Sequence, residues 1–204
     1  MIADAFPAHG ILGEEHGAEH LDASYVWVLD PIDGTKSFVT GKPLFGTLIA
    51  LLRDGRPIVG VIDMPALDER WLGVEGGPTL FSGREVCTRG CDGLDHAWLY
   101  ATSPQMFDAG EAIAFERLRR SCYAAVWGAD LYAYGLLASG WVDLVCEASL
   151  KPYDYCAAVP VIAGAGGIIT DWQGAPLGLY SGGRALAAGD ARLHAMAREM
   201  LAGA

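Results

Sequence analysis

Tyr25-Val26-Trp27-Val28-Leu29 is a short run of β-branched and aromatic residues that stops at Asp30-Pro31. Such a run reads as a buried strand, and the Asp-Pro step reads as the turn that ends it. Asp30 then sits at the carboxyl end of a strand, with Asp33 three residues on, inside Asp30-Pro31-Ile32-Asp33-Gly34-Thr35. The two carboxylates, the Ile32 carbonyl between them and the Thr35 hydroxyl are all oxygen donors. Hard cations such as Mg²⁺ take carboxylates, carbonyls and waters, whereas a soft-metal site shows Cys or clustered His. A divalent ion held in this way can clamp a phosphate and activate water. Gly34 allows backbone N–H groups to approach an anion, and a short helix starting at Thr35 would aim its N-terminus at a phosphate. Asp, Gly and Thr are also turn residues, so the segment alone also admits a purely structural reading.

Two further acidic positions point the same way. Gly13-Glu14-Glu15 follows the apolar pair Ile11-Leu12 and offers adjacent carboxylates at another strand end, whose repulsion a cation would relieve. Asp154 stands at the head of an apolar helix expected to run to about Gly164, where it could equally serve as an N-cap. The spacing also predicts strands over Leu44–Leu52 and Ile58–Met64 around an Asp54-Gly55-Arg56-Pro57 turn, with Arg70–Val74 as a third antiparallel strand. Further along, Glu111–Ser121 and Ala129–Ser139 read as helices, and Val142–Cys146, Gly167–Thr170 and Ala185–Ala188 as strands. Asp190 caps a last helix whose Leu193, Met196, Ala197, Met200 and Leu201 form one apolar stripe.

Composition narrows the class. Hydrophobic residues make up 52% of the 204 and charged residues 19%, enough burial to offset the entropy of ordering. The net charge of −11 opposes nucleic acid or an anionic membrane as the main partner. The longest uncharged stretch, Tyr155–Thr170, is short for a bilayer span and is broken by Pro160 and three glycines. Met1–Pro7 lacks the basic start and apolar core of a secretory signal. The five cysteines are odd in number and scattered, as expected for reduced thiols in the cytoplasm.

Taken in order, Gly13-Glu14-Glu15, Asp30-Pro31-Ile32-Asp33-Gly34-Thr35-Lys36-Ser37-Phe38, Tyr153-Asp154-Tyr155-Cys156-Ala157-Ala158 and Gly164-Ala165-Gly166-Gly167 resemble the signatures of the inositol monophosphatase family of Mg²⁺-dependent phosphatases. Phe45–Leu52, Asp68-Glu69-Arg70-Trp71, Ala101-Thr102-Ser103-Pro104 and Leu150–Asp154 resemble its histidinol-phosphate phosphatase branch. The resemblance implies an α/β fold, the layered αβαβα sandwich shared with fructose-1,6-bisphosphatase. It also implies Glu14, Asp30, the Ile32 carbonyl, Asp33 and Asp154 as ligands of two or three Mg²⁺ ions. Thr35 would orient the attacking water, with Glu14 and Asp33 also in the catalytic set, and the Gly34 and Thr35 amides would contact phosphate. Gly128, Ala129, Asp130 and Glu147 lie where the family meets the alcohol part of its substrate, and the two carboxylates would suit the ammonium or imidazolium of histidinol.

The activity implied is hydrolysis of histidinol phosphate by direct in-line displacement, in a homodimer. Inositol monophosphate or another small sugar phosphate is the nearest alternative, and a phosphate- or metal-binding protein with weak turnover is the alternative of another class. Family members carry two helices and an Asp upstream of the Gly-Glu-Glu motif, where this sequence has Met1–Leu12. The expectation is therefore one domain over 1–204 without most of the first helical layer, weakly active and unstable as an isolated chain.

Overall fold

The computed structural model describes residues 1–202. An opening turn of helix, α1 (Ile2–Ala5), leads into β1 (Gly10–Gly13) and β2 (Gly17–Glu19). Next come β3 (Tyr25–Asp33), α2 (Thr35–Thr40), β4 (Gly46–Arg53), β5 (Arg56–Met64), β6 (Glu69–Val74), β7 (Thr79–Phe81) and β8 (Arg84–Val86). These strands form one eight-stranded sheet in the order β2-β1-β3-β4-β5-β6-β7-β8. From β3 to β6 neighbours are antiparallel, as the alternating pattern implies, while β1 runs parallel to β3. Asp54 and Gly55, both at positive φ, make the two-residue turn that joins β4 to β5.

The second half contributes β9 (Trp98–Ala101), α3 (Ala109–Ser121), β10 (Ala124–Trp127), α4 (Tyr132–Ala138) and β11 (Leu144–Glu147). It continues through α5 (Pro152–Tyr155), α6 (Ala158–Gly164), β12 (Ile168–Thr170), β13 (Ala185–Ala188) and α7 (Ala191–Ala202). Its five strands pair as β10-β9-β11-β13-β12. The described layers are α3 and α7, this sheet, α4 to α6, and the eight-stranded sheet. One core, with Val28, Leu48, Ile62, Trp71, Tyr134, Val145 and Ile162, lies between the sheets. A second, with Leu99, Phe115, Leu118, Leu186, Leu193 and Ala197, lies beneath α3 and α7.

Several local expectations change. The strand after Tyr25 continues through Asp33, so Asp30 lies within β3 rather than at its end. The expected helix from Asp154 is two helices, and Asp154 is not the N-cap: Lys151 is, and Asp154 in the first turn of α5 accepts the Lys151 N–H at 2.7 Å. β9 and β10 have no counterpart in the sequence reading. By contrast, Asp190 Oδ1 accepts the Leu193 N–H at 2.9 Å, and Leu193, Ala197 and Leu201 are buried along α7 as their spacing requires. The helical layer touches the eight-stranded sheet closely: a Cβ on Gly60 would fall 2.0 Å from the Ala157 carbonyl oxygen, and one on Gly73 2.5 Å from Pro160. That approach brings α5, and with it Asp154, against β3.

Candidate active site

The carboxylates converge because β3 carries one extra residue. Asp30 pairs with Leu48 and Asp33 with Gly46, three steps along β3 for two along β4, so the ladder bulges between the acids. In a regular strand residues three apart face opposite sides. The bulge returns Asp33 to the side of Asp30, opposite the buried positions Leu48 and Gly46. Thr47 pins it by donating its hydroxyl to the Pro31 carbonyl at 2.9 Å. Within the bulge the Ile32 N–H donates to Asp30 Oδ1 at 2.9 Å, and the Ile32 carbonyl accepts the Thr35 hydroxyl at 3.1 Å. That carbonyl is therefore not wholly free, but one of its two lone pairs remains.

Gly34 ends the bulge and caps α2 at φ 77°, a conformation costly for any residue with a side chain; an added Cβ would also come within 2.7 Å of the Leu44 carbonyl oxygen. From there α2 starts at Thr35, as expected. Glu14 follows β1, with its N–H bonded to the Leu29 carbonyl at 3.1 Å, which holds it alongside the end of β3. Asp154 arrives from α5.

These acids act on one another. Asp30, 2% exposed, is pushed up to about 7 by burial, reinforced by the charge of Glu14 and a hydrogen bond to it, and by Asp154. Asp154 is pushed up to about 6, first by burial and then by Glu14 and Asp130, against the Lys151 N–H that favours its charged form. Asp33 is held well above the usual carboxylate range by burial and by Asp130, Asp30 and Asp154. No Lys or Arg side chain forms an ion pair with Glu14, Asp30, Asp33 or Asp154 among the described residues. Nor do any three His, Cys, Asp or Glu side chains there close into a finished ligand group. Hard oxygen donors raised by burial and by mutual repulsion, with Lys151 at Asp154 the only opposing charge, fit a hard cation, which would restore the charged forms.

The residues assigned to the alcohol side separate. Asp130 stands in the loop between β10 and α4, with Leu131 donating its N–H to Asp33 Oδ2 at 3.1 Å. Burial raises Asp130, while Lys42 and Lys36 pull it back. Gly128 lies in the same loop, and Ala129 is buried. Glu147 does not meet the expectation of a substrate contact. It is 3% exposed, and both its oxygens are taken: Thr102 donates its N–H at 2.9 Å and its hydroxyl at 2.5 Å to Oε1, and Tyr134 its hydroxyl at 3.0 Å to Oε2. Burial pushes Glu147 up to about 7 against these bonds. It braces β9, β11 and α4 from behind. Thr102, Tyr134 and the loop-facing Lys42 are residues the sequence reading did not single out for these roles.

With this geometry in view, comparison with known proteins is specific. The sequence profile of the inositol monophosphatase family matches residues 1–203. The chloroplastic bifunctional phosphatase IMPL2 of Arabidopsis thaliana is 50% identical over 98% of this chain, which spans 61% of that protein's length. A histidinol-phosphatase of Streptomyces coelicolor is 34% identical over 95% of this chain and 75% of its own length. Among solved structures, an inositol monophosphatase from Zymomonas mobilis superposes with a TM-score of 0.93 at 46% identity, over 99% of this chain and 78% of its own. The chain belongs to the inositol monophosphatase family, whose members are metal-dependent phosphoric monoester hydrolases.

Proposed function

We propose that the chain is a Mg²⁺-dependent phosphomonoesterase that hydrolyses L-histidinol phosphate to L-histidinol and phosphate in histidine biosynthesis. The observation that carries this reading is the convergence of Asp30, Asp33 and Asp154, each raised by burial and by neighbouring acids and none in an ion pair with a Lys or Arg among the described residues. Glu14, Asp30, the Ile32 carbonyl, Asp33 and Asp154 would hold the cations. Mg²⁺ bound there supplies positive charge for the phosphate oxygens and lowers the pKa of a bound water.

The chain's own groups supply the rest. The Gly34 and Thr35 amides hold the phosphate, and the Thr35 hydroxyl orients a water in line with the ester bond. Water oxygen bonds to phosphorus as the bond to the alcohol oxygen breaks, and the alcohol leaves with a proton. Asp130 faces the ammonium or imidazolium of the alcohol part. The Streptomyces relative supports histidinol phosphate, and the Zymomonas relative favours inositol monophosphate as the second reading. The same proposal takes residues 1–204 as one domain of a cytoplasmic homodimer, consistent with five free cysteines and with no helix of the described residues long and apolar enough to cross a membrane.

Phosphate release from histidinol phosphate and from inositol 1-phosphate, with Mg²⁺ and with chelator, tests the reading. Mg²⁺-dependent release that prefers histidinol phosphate is the expected result. Preference for inositol 1-phosphate replaces the substrate alone. Phosphate binding without release from either points to a binding protein and overturns the enzyme reading.

A further inference from the structure

We propose that Lys42 is a positioning residue for the organic half of the substrate: its ammonium ties the Gly128–Leu131 loop to the end of α2 and so sets where Asp130 stands. This rests on the reading of Asp130 given above. Lys42 follows the left-handed C-cap Gly41, and its own N–H is bonded to the Ser37 carbonyl at 2.9 Å, so its backbone is fixed to α2. From there its Nζ donates to the Gly128 carbonyl, 86 residues away in sequence. The fit is close: a Cβ on Gly128 would come within 3.1 Å of that Nζ.

The loop needs holding. Gly128 has φ 85° and Asp130, a residue with a side chain, φ 49°, a backbone state that few such residues adopt unless their surroundings impose it. Its two ends are anchored, Gly128 N–H to the Ala101 carbonyl at 3.1 Å and Leu131 N–H to Asp33 Oδ2 at 3.1 Å. Lys42 supplies the third tie, from the outer side. It binds a carbonyl rather than a carboxylate, and Asp130 forms no ion pair among the described residues. The acid is thus placed but left unpaired, as a cationic substrate group requires. The positive charge of Lys42 also acts on Asp130 and, with Lys36, opposes the effect of its burial.

Two opposite consequences of removing Lys42 separate positioning from simple repulsion of a cationic substrate. The wild type, Lys42→Met and Lys42→Arg are compared with Mg²⁺ on histidinol phosphate and on p-nitrophenyl phosphate, which has no cationic group. Lys42 is exposed, so both variants are expected to fold. Loss of a charge-assisted hydrogen bond predicts that Lys42→Met raises KM for histidinol phosphate about tenfold more than for p-nitrophenyl phosphate, with the smaller change in kcat. Lys42→Arg restores most of the difference. Hydrogen exchange of the 128–131 amides in Lys42→Met is expected to speed up about tenfold. A fall in KM for histidinol phosphate, an equal loss on both substrates or unchanged exchange overturns the proposal. If the wild type turns over p-nitrophenyl phosphate but not histidinol phosphate, the substrate reading fails, and the exchange result still decides whether Lys42 holds the loop.

Discussion

In the five-stranded sheet β11 and β13 are buried at every residue, because α3 and α7 cover one face and the α4–α6 layer the other. In the eight-stranded sheet β3 and β4 bury alternate residues: Val26, Val28, Leu48 and Ala50 face the helices, while Trp27, Leu29, Ile49 and Leu51 on the other face are only half-buried. The doubly covered sheet has near-continuous apolar strands, and its ionised groups need internal partners. The other sheet carries Asp30 and Asp33 at the bulge of β3 and Glu14 just after β1, and α5 brings Asp154 against them. Cohesion and chemistry are thus divided between the two sheets.

The largest expected effect tests the cohesive half. Asp143, 1% exposed, accepts Arg89 through both oxygens at 2.7 and 2.8 Å and the Trp98 N–H at 2.9 Å. Asp143→Ala leaves these donors unpaired and should cost about 3 kcal/mol or more in urea denaturation. The half-exposed Arg53–Glu75 pair on the other sheet should be worth less than about 1 kcal/mol. Equal losses from the two pairs would break the comparison. Next, Leu144→Ala in β11 should cost about 3 kcal/mol, against about 1 kcal/mol for Leu51→Ala on the half-buried face.

Glu147 gives a pH signature. In the folded chain it keeps its proton to about 7, whereas unfolded it releases it near 4.5. The native state therefore binds the extra proton, so the contribution of this group to stability falls as pH rises between these values. Glu147→Gln should flatten that part of the profile in denaturation at pH 5 and 8, and an unchanged slope would show the group to be charged in place. The smallest expected shift is at the chemical sheet. With chelator at pH 8, Asp30→Asn relieves repulsion and should melt slightly above the wild type. With Mg²⁺ the order should reverse as the wild type gains from binding.

What was legible in the sequence was whatever local chemistry dictates. The antiparallel run from β3 to β6 follows from period-2 patterning and an Asp-Gly turn, α7 from its i, i+3, i+4 stripe, and Glu14, Asp30, Asp33 and Asp154 from short motifs. The remainder depends on pairing across long separations. β9 is only four residues, Trp98–Ala101, and becomes a strand by lying between β10 and β11. Glu147 read as a contact for the alcohol part of the substrate, and only the fold shows it enclosed by Thr102, 45 residues away, and by Tyr134. Asp154 looked like a cap because an Asp before an apolar run usually is one, and the first-turn position appears only once Lys151 supplies the N–H.

The extra residue in β3 also separates two kinds of heritable change. Exchanging Pro31 or Ile32 for another residue keeps the count between the two aspartates and acts as a dial, shifting geometry by degrees. Deleting either one leaves the two aspartates on one face but removes the bulge, and with it a carbonyl that accepts the Thr47 or the Thr35 hydroxyl, so one lost codon acts as a switch where many altered codons would only trim.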